Sequence, residues 1–272
     1  MIVSQLASSY VTYERLVKEW ESAGLARNDV VLLHSSVSRT MRRMRELNPD
    51  FALTDLLQSF LDVIGEGGTL LLPLFNFAFC DGSGFNRATT PSSMGALTEM
   101  ARVDHRFVRT RHAIYSFAVA GPLSDEFSSL SNVSALADDG PFGLLRRRQG
   151  KIAVLDLDDQ NSMTMYHHIE EVNGVTYRYH KSFTGKYCDL DQTESLRRYS
   201  LFVWDEVRGV RTDVNRAGEL LWSQGLYSGS RPGVDSGLRV IDAQAMFLSI
   251  SDVIRRGDAE RYLYSMSTES GL

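Results

Sequence analysis

The chain has 272 residues, 43% of them hydrophobic and 23% charged, an ordinary balance for a folded globular chain and enough for one large α/β domain or two small ones. Its formal charge of −5 gives no general support to nucleic-acid binding, and no apolar run approaches the length of a membrane span. Two cysteines, Cys80 and Cys188, make no disulfide framework, and the N-terminus has neither the basic region nor the apolar core of a signal peptide, so a cytoplasmic setting is expected.

In chain order, Tyr13, Leu16, Val17 and Trp20 form the apolar stripe of a helix from about Thr12 to Ala23, stopped by Gly24. Val30 to Leu33 is a continuous apolar run, as in a buried parallel strand, and it leads into His34, Ser35 and Ser36. Arg39 to Arg45 reads as a basic exposed stretch. Leu56, Leu57, Phe60, Leu61 and Ile64 predict a helix over 53–64, ended by a glycine cluster, and Thr69 to Pro73 is the next strand. Strand, helix, strand predicts a right-handed crossover. The glycines at 65, 67 and 68 precede a strand instead of joining a strand to a helix, which excludes a Rossmann or phosphate-loop reading.

Phe75 to Thr90 reads as a long loop of the kind that often carries function. Thr90-Pro91-Ser92-Ser93 has the start chemistry of a helix bearing Met94, Leu97, Met100 and Ala101. A strand follows at 114–120, then irregular chain with short helices over 122–150, then a clear strand at 151–157. Beyond residue 174, the stretch 175–189 is aromatic and polar, 200–207 alternates like a strand, 216–224 reads as a helix, and Asp242 caps a last helix to about Arg256. The expectation is one three-layer α/β/α domain over residues 1–272 with a central mixed β-sheet.

The most informative stretch is 161–171. Asn161 or Ser162 can cap a helix there, and Asn173-Gly174 can end it. Met165, His168, Ile169 and Val172 share one face, so His168 reads as a core histidine. Thr164, His167 and Glu171 share another, with Glu170 one turn from His167. A histidine beside a carboxylate is a usable general base, because the carboxylate fixes the ring tautomer and stabilises the imidazolium. Alone the pair is a weak signal, since most such pairs on helices are solvated. No H-E-x-x-H or cysteine cluster points to a metal.

Taken as an ordered set, these pieces resemble the aminoglycoside 3-N-acetyltransferase family, which is distinct from the GNAT acetyltransferases. The likeness covers most of residues 10–175 and thins towards the C-terminus. It is carried by His34-Ser35-Ser36, Gly67-Gly68-Thr69-Leu70 to Pro73, Phe85-Asn86-Arg87, Thr90-Pro91-Ser92 and Met94-Gly95-Ala96-Leu97, continued by Arg109, His112 and Ser116-Phe117-Ala118. The family's Thr-x-x-His-x-x-Glu motif falls on Thr164, His167 and Glu170. Departures occur at Gly140-Pro141-Phe142-Gly143, at His112-Ala113 and at Met163 to Tyr166, all near the expected thioester and acceptor, so the resemblance carries the cofactor further than the acceptor.

The resemblance implies an acetyl-CoA-dependent N-acetyltransferase acting on a primary amine of an aminoglycoside or related amino sugar, with no metal. His167 is the expected base, Glu170 orients it, and Thr164 donates to the thioester oxygen. CoA is expected at His34, Ser35, Ser36, Thr90, Ser92, Ser93 and Ser116. Ser35 and Ser36 follow a buried strand, where free N–H groups suit a pyrophosphate, although serines there can equally serve only as caps. Loop acids near the motif, Asp138, Asp158 and Glu171 among them, are expected to attract a cationic acceptor. The partner is a small-molecule amine, with no nucleic acid and no membrane, and a homodimer is allowed. Three other readings stay open: a biosynthetic N-acyltransferase of a small amino sugar or sugar nucleotide, a non-catalytic CoA- or sugar-binding homologue, and a Cys80 acyl enzyme.

Overall fold

The apolar run at residue 30 lies where a strand lacking polar alternation must lie, inside a sheet covered on both faces, in a computed structural model that describes residues 2–266. The elements are α1 (Ile2–Ala23), β1 (Val30–Ser35), α2 (Ser38–Leu47), α3 (Leu53–Ile64), β2 (Thr69–Pro73), β3 (Phe85–Asn86), α4 (Ala96–Val103), β4 (Val108–Arg109), β5 (Phe117–Ala120), α5 (Ser124–Ser129), α6 (Pro141–Arg147) and β6 (Lys151–Leu155). They continue with α7 (Met165–Val172), β7 (Arg178–Cys188), β8 (Glu194–Trp204), β9 (Val210–Thr212), α8 (Asn215–Ser223), β10 (Tyr227–Gly229), β11 (Leu238–Asp242), α9 (Ala243–Arg255), α10 (Ala259–Tyr262) and β12 (Tyr264–Met266).

The central sheet has seven strands in the order β10-β11-β6-β1-β2-β5-β4. β6, β1 and β2 are parallel, and the outer pairs are antiparallel, so the sheet is mixed as expected. Alternate side chains feed two cores. Val31, Leu33, Leu70 and Leu72 pack with Leu16, Trp20, Leu57 and Phe60 under α1 and α3. Leu32, Leu71, Ile152 and Val154 pack on the opposite face with Leu144, Tyr166, Ile169 and Ile250 from α6, α7 and α9. Trp20 stacks on Phe60 at 4.8 Å and donates its indole N–H to Ser59 Oγ at 2.8 Å, so both the face and the polar edge of this ring are satisfied.

Several expectations shift, among them three bounds: α1 begins at Ile2 and not near Thr12, β5 at Phe117 and not at 114, and β8 spans Glu194–Trp204 where 200–207 was expected. Arg39 to Arg45 is helical, since Thr40, Met41 and Met44 turn one narrow face inward while the arginines stay out. α4 starts at Ala96, after Gly95 at φ 114 has broken the backbone, and the Ser92 hydroxyl instead accepts from the Met94 N–H at 3.1 Å. The aromatic and polar stretch after 175 forms an eleven-residue antiparallel pairing of β7 with β8, standing outside the main sheet with β3. Most of β7 is exposed on both faces, so it lacks the two-residue contrast that makes a strand legible.

Candidate active site

The carboxyl ends of β1, β2 and β6 point to one edge of the sheet, the usual place for ligands in open α/β folds. The turn after β6 is built by Asp158. Its carboxylate accepts from the Asn161 N–H at 3.0 Å and from Asn215 Nδ2 at 3.1 Å, and its carbonyl accepts from Ser162 Oγ at 2.5 Å. This turn delivers Thr164 as the N-cap residue of α7. The Thr164 side chain makes no capping bond, and its buried hydroxyl has no hydrogen-bond partner in the protein.

One turn on, His167 Nδ1 lies 3.1 Å from Glu170 Oε2. The Glu170 side chain is 0% exposed, whereas that of His167 keeps 17%. Tyr177 OH donates to Glu170 Oε1 at 2.9 Å. Arg178, at the first position of β7, completes the group. Its Nε lies 2.8 Å from Glu170 Oε2, at an angle that makes this a charge contact and not a linear hydrogen bond. Its Nη2 lies 2.7 Å from His167 Nδ1 and also donates to Thr212 Oγ1 at 3.0 Å, and Nη1 donates to the Phe202 carbonyl at 3.0 Å.

Burial by itself raises the pKa of Glu170, but the Arg178 charge and the His167 and Tyr177 contacts outweigh it and hold the carboxyl below its ordinary value. Burial and the Arg178 charge lower His167, against the pull of Glu170. Both groups are therefore placed to be a neutral imidazole beside an ionised carboxylate at neutral pH. Tyr115, which precedes β5, shares this interior: burial pushes its hydroxyl up to about 12, with the Arg178 guanidinium opposing.

Two of the other buried histidines are tied into the frame. His168 is 0% exposed, donates from Nδ1 to the Leu136 carbonyl at 2.6 Å and accepts from Arg146 Nε at 3.1 Å. His112 Nδ1 accepts from the Tyr115 N–H at 3.0 Å. His34 sits at the end of β1 with Nε2 buried and unpartnered, and burial and the nearby Arg239 lower its pKa to about 3, so it is a neutral ring. Among the described residues no three His, Cys, Asp or Glu are placed to hold a metal.

The residues expected at CoA divide into two sets. His34, Ser35 and Ser36 stand together where β1 runs towards α2, whose N-terminus has no side-chain cap. Thr90 and Ser92 are engaged within their own loop: Thr90 Oγ1 accepts from the Asn86 N–H at 2.8 Å, and Ser92 Oγ lies 2.8 Å from Thr98 Oγ1. Ser93 is exposed. Ser116 is 0% exposed, and its hydroxyl is held between Arg109 Nε at 3.0 Å and the Leu74 carbonyl at 3.2 Å.

The three acids expected at the acceptor do not converge. Asp138 pairs with Arg146 and Arg147 of α6. Asp158 serves the turn before α7 and lines a cavity of about 270 Å³ with Arg39, Asp235 and Arg239. Glu171 is engaged elsewhere, accepting from Ser134 Oγ at 2.8 Å with His180 at 4.0 Å.

Cys80 lies in a short turn of 3₁₀ helix, Phe77–Asp81, where burial and the Asp81 charge push its thiol up to about 11. A thiol at that value is protonated at neutral pH and a poor nucleophile. Incubation with acetyl-CoA near pH 7.5 is expected to leave Cys80 unacylated by peptide mass spectrometry; a stoichiometric adduct there would restore the acyl-enzyme reading.

Sequence reasoning reached Thr164, His167 and Glu170 and missed Tyr177, Arg178 and Thr212. The only local signal was the Tyr-Arg pair just beyond Gly174, and no spacing rule links it to α7.

Residues 32–255 match the family model described as aminoglycoside 3-N-acetyltransferase. No curated protein matches the chain. Among solved structures, aminoglycoside acetyltransferase AAC(3)-Xa is 18% identical over 96% of this chain and 98% of its own, with a TM-score of 0.75. AAC-IIIb in a binary complex with CoASH is 16% identical over 95% and 98%, with a TM-score of 0.75. AAC-VIa bound to sisomicin is 17% identical over 90% and 97%, with a TM-score of 0.74. At such identities these likenesses speak to the fold, while the family match spans well over half of the chain and runs through α7. The chain belongs to the aminoglycoside 3-N-acetyltransferase family.

Proposed function

We propose that this protein transfers an acetyl group from acetyl-CoA to a primary amine of an aminoglycoside or related amino sugar, with His167 as general base. The observation that carries the reading is the His167–Glu170 pair, an imidazole still open to solvent backed by a carboxylate wholly removed from it. CoASH bound to AAC-IIIb and sisomicin bound to AAC-VIa support the two substrate classes by kinship.

Acetyl-CoA supplies the acyl group as a thioester when bound. The acceptor nitrogen forms the new C–N bond, the C–S bond breaks with its electrons on sulfur, and the amine proton passes through His167 to the leaving thiolate. Glu170 stays ionised and steadies the imidazolium. The partnerless Thr164 hydroxyl is free to donate to the carbonyl oxygen as negative charge develops there, a contribution of about 3 kcal/mol where such donors have been removed. His34, Ser35, Ser36 and the uncapped start of α2 offer polar groups for the CoA side of the site. The enclosure of Ser116 and the internal bonds of Thr90 and Ser92 support framing roles for those three.

A second reading has its own support. Asp138, Asp158 and Glu171 are already partnered by arginines, amides or a hydroxyl, which leaves less free negative charge to draw in a polycation. A small amino sugar or sugar nucleotide then fits the acceptor site as well as an aminoglycoside.

A thiol-release assay with acetyl-CoA and an amine panel tests both. Turnover with kanamycin- or gentamicin-type amines is expected from the first reading, weakening as salt screens the acceptor's charge. Turnover only with a mono-amino sugar nucleotide makes the enzyme biosynthetic. CoA binding with no turnover on any amine makes the protein a binding homologue.

A further inference from the structure

Arg178 occupies an unusual place beside a candidate base. An arginine side chain can only donate hydrogen bonds. Its Nη2 has two hydrogens, one facing Thr212 Oγ1 at 3.0 Å and the other His167 Nδ1 at 2.7 Å, while Nη1 is fixed by the Phe202 carbonyl at 3.0 Å. The guanidinium is 2% exposed and held by β8 and β9, so it does not swing freely. A proton on Nδ1 would set an N–H against this donor. Glu170 Oε2, 3.1 Å from Nδ1, competes for the same nitrogen but accepts charge from Arg178 Nε at 2.8 Å, and its other oxygen takes the Tyr177 hydroxyl.

We propose that Arg178 is a positioning residue that holds resting His167 in the tautomer with its proton on Nε2, so that the ring must change tautomer before Nε2 can accept a proton from the acceptor amine. The change is balanced: Nδ1 gains a solvent proton as Nε2 gives one up, and the ring leaves Arg178 Nη2, which keeps its bond to Thr212 Oγ1, so that Nδ1–H donates to Glu170 Oε2. The ionisable groups that act on the ring are Glu170 on its own helix and Arg178 at the start of β7, with the Tyr177 hydroxyl bound to Glu170 and Tyr115 within the field of Arg178. In the resting form Nε2 offers a donor and no lone pair. Water has no base to activate it, and the thioester is protected until an acceptor arrives. That consequence rests on the base role proposed above; the tautomer does not.

The test is two-bond proton–nitrogen correlation NMR on protein labelled with ¹⁵N-histidine, without substrates. Two buried rings serve as internal standards of opposite type. His112 accepts at Nδ1 from backbone N–H groups and so carries its proton on Nε2, whereas His168 donates from Nδ1 to the Leu136 carbonyl. Wild-type His167 is expected to show the His112 pattern, pyridine-type Nδ1 and pyrrole-type Nε2. Arg178→Met removes the donor and is expected to switch His167 to the His168 pattern with both standards unmoved, and to raise acetyl-CoA hydrolysis without acceptor at least about threefold relative to transfer. A pyrrole-type or averaged Nδ1 in the wild type overturns the proposal, and that spectrum decides it even if the variant does not fold. Because no turnover enters the spectrum, its outcome is independent of whether acetyl transfer is the reaction.

Discussion

His167→Ala is expected to lower acetyl transfer by about 10²- to 10⁴-fold, the span usual for a positioned acid–base group. CoA affinity is expected to stay close to wild type, because the His34–Ser36 segment proposed for CoA belongs to the end of β1 and not to α7, and shares none of the His167 contacts. Thiol release under saturating substrates reads the first quantity and calorimetric titration of CoA the second. His168→Ala is the informative companion. That ring stacks on Phe142 at 5.9 Å between centroids, donates to Leu136 and receives Arg146, so its loss is expected to lower stability first. A folded His168→Ala enzyme without turnover, beside an active His167→Ala enzyme, would move the base to the neighbouring residue.

Glu170→Ala is expected to cost about 3–5 kcal/mol of stability, the range for removing one partner of a buried ion pair. From the helix alone the change reads as a milder one, a lost orienting contact for His167. The structure adds Arg178, 2% exposed, whose only charge partner among the described residues is Glu170, and the Tyr177 hydroxyl, which would lose its acceptor. Glu170→Gln keeps the shape and one acceptor oxygen and is expected to lose less. The pH dependence has a fixed sign. The folded-state pKa of Glu170 is depressed, burial being outweighed by Arg178 and the hydrogen bonds, so its contribution is present above the unfolded value of ~4.3 and is lost as pH falls through the folded value. Urea unfolding of wild type and Glu170→Gln at pH 7 and at pH 4 and below should show the gap between them closing in acid. A gap that held constant across that range would remove Glu170 from the pH-dependent stability of the fold.

The sequence by itself determined what is local. The runs at 30–33, 53–64 and 69–73 and the Asp242 cap, which accepts from the Ala245 N–H at 2.7 Å, carry their structure in their own periodicity and end residues, and they emerge as β1, α3, β2 and α9 with boundaries close to those expected. The pairing of His167 with Glu170 was legible because a three-residue spacing on one helix brings side chains together without help from the rest of the chain, and the family resemblance singled that pair out together with Thr164. Tertiary structure decided everything that depends on a distant partner. Arg178 reaches His167 across a turn and meets Thr212 and Phe202 from two further strands, and β7 itself, polar on both faces, exists because β8 supplies its hydrogen bonds. Whether a hydroxyl or carboxylate is engaged was equally invisible, since only packing assigns Ser116 to Arg109, Thr90 to Asn86 and Asp138 to Arg146. Spacing along a helix or strand is fixed by backbone geometry, whereas such pairings are fixed by which surfaces pack together, and that is settled by the burial of the whole core.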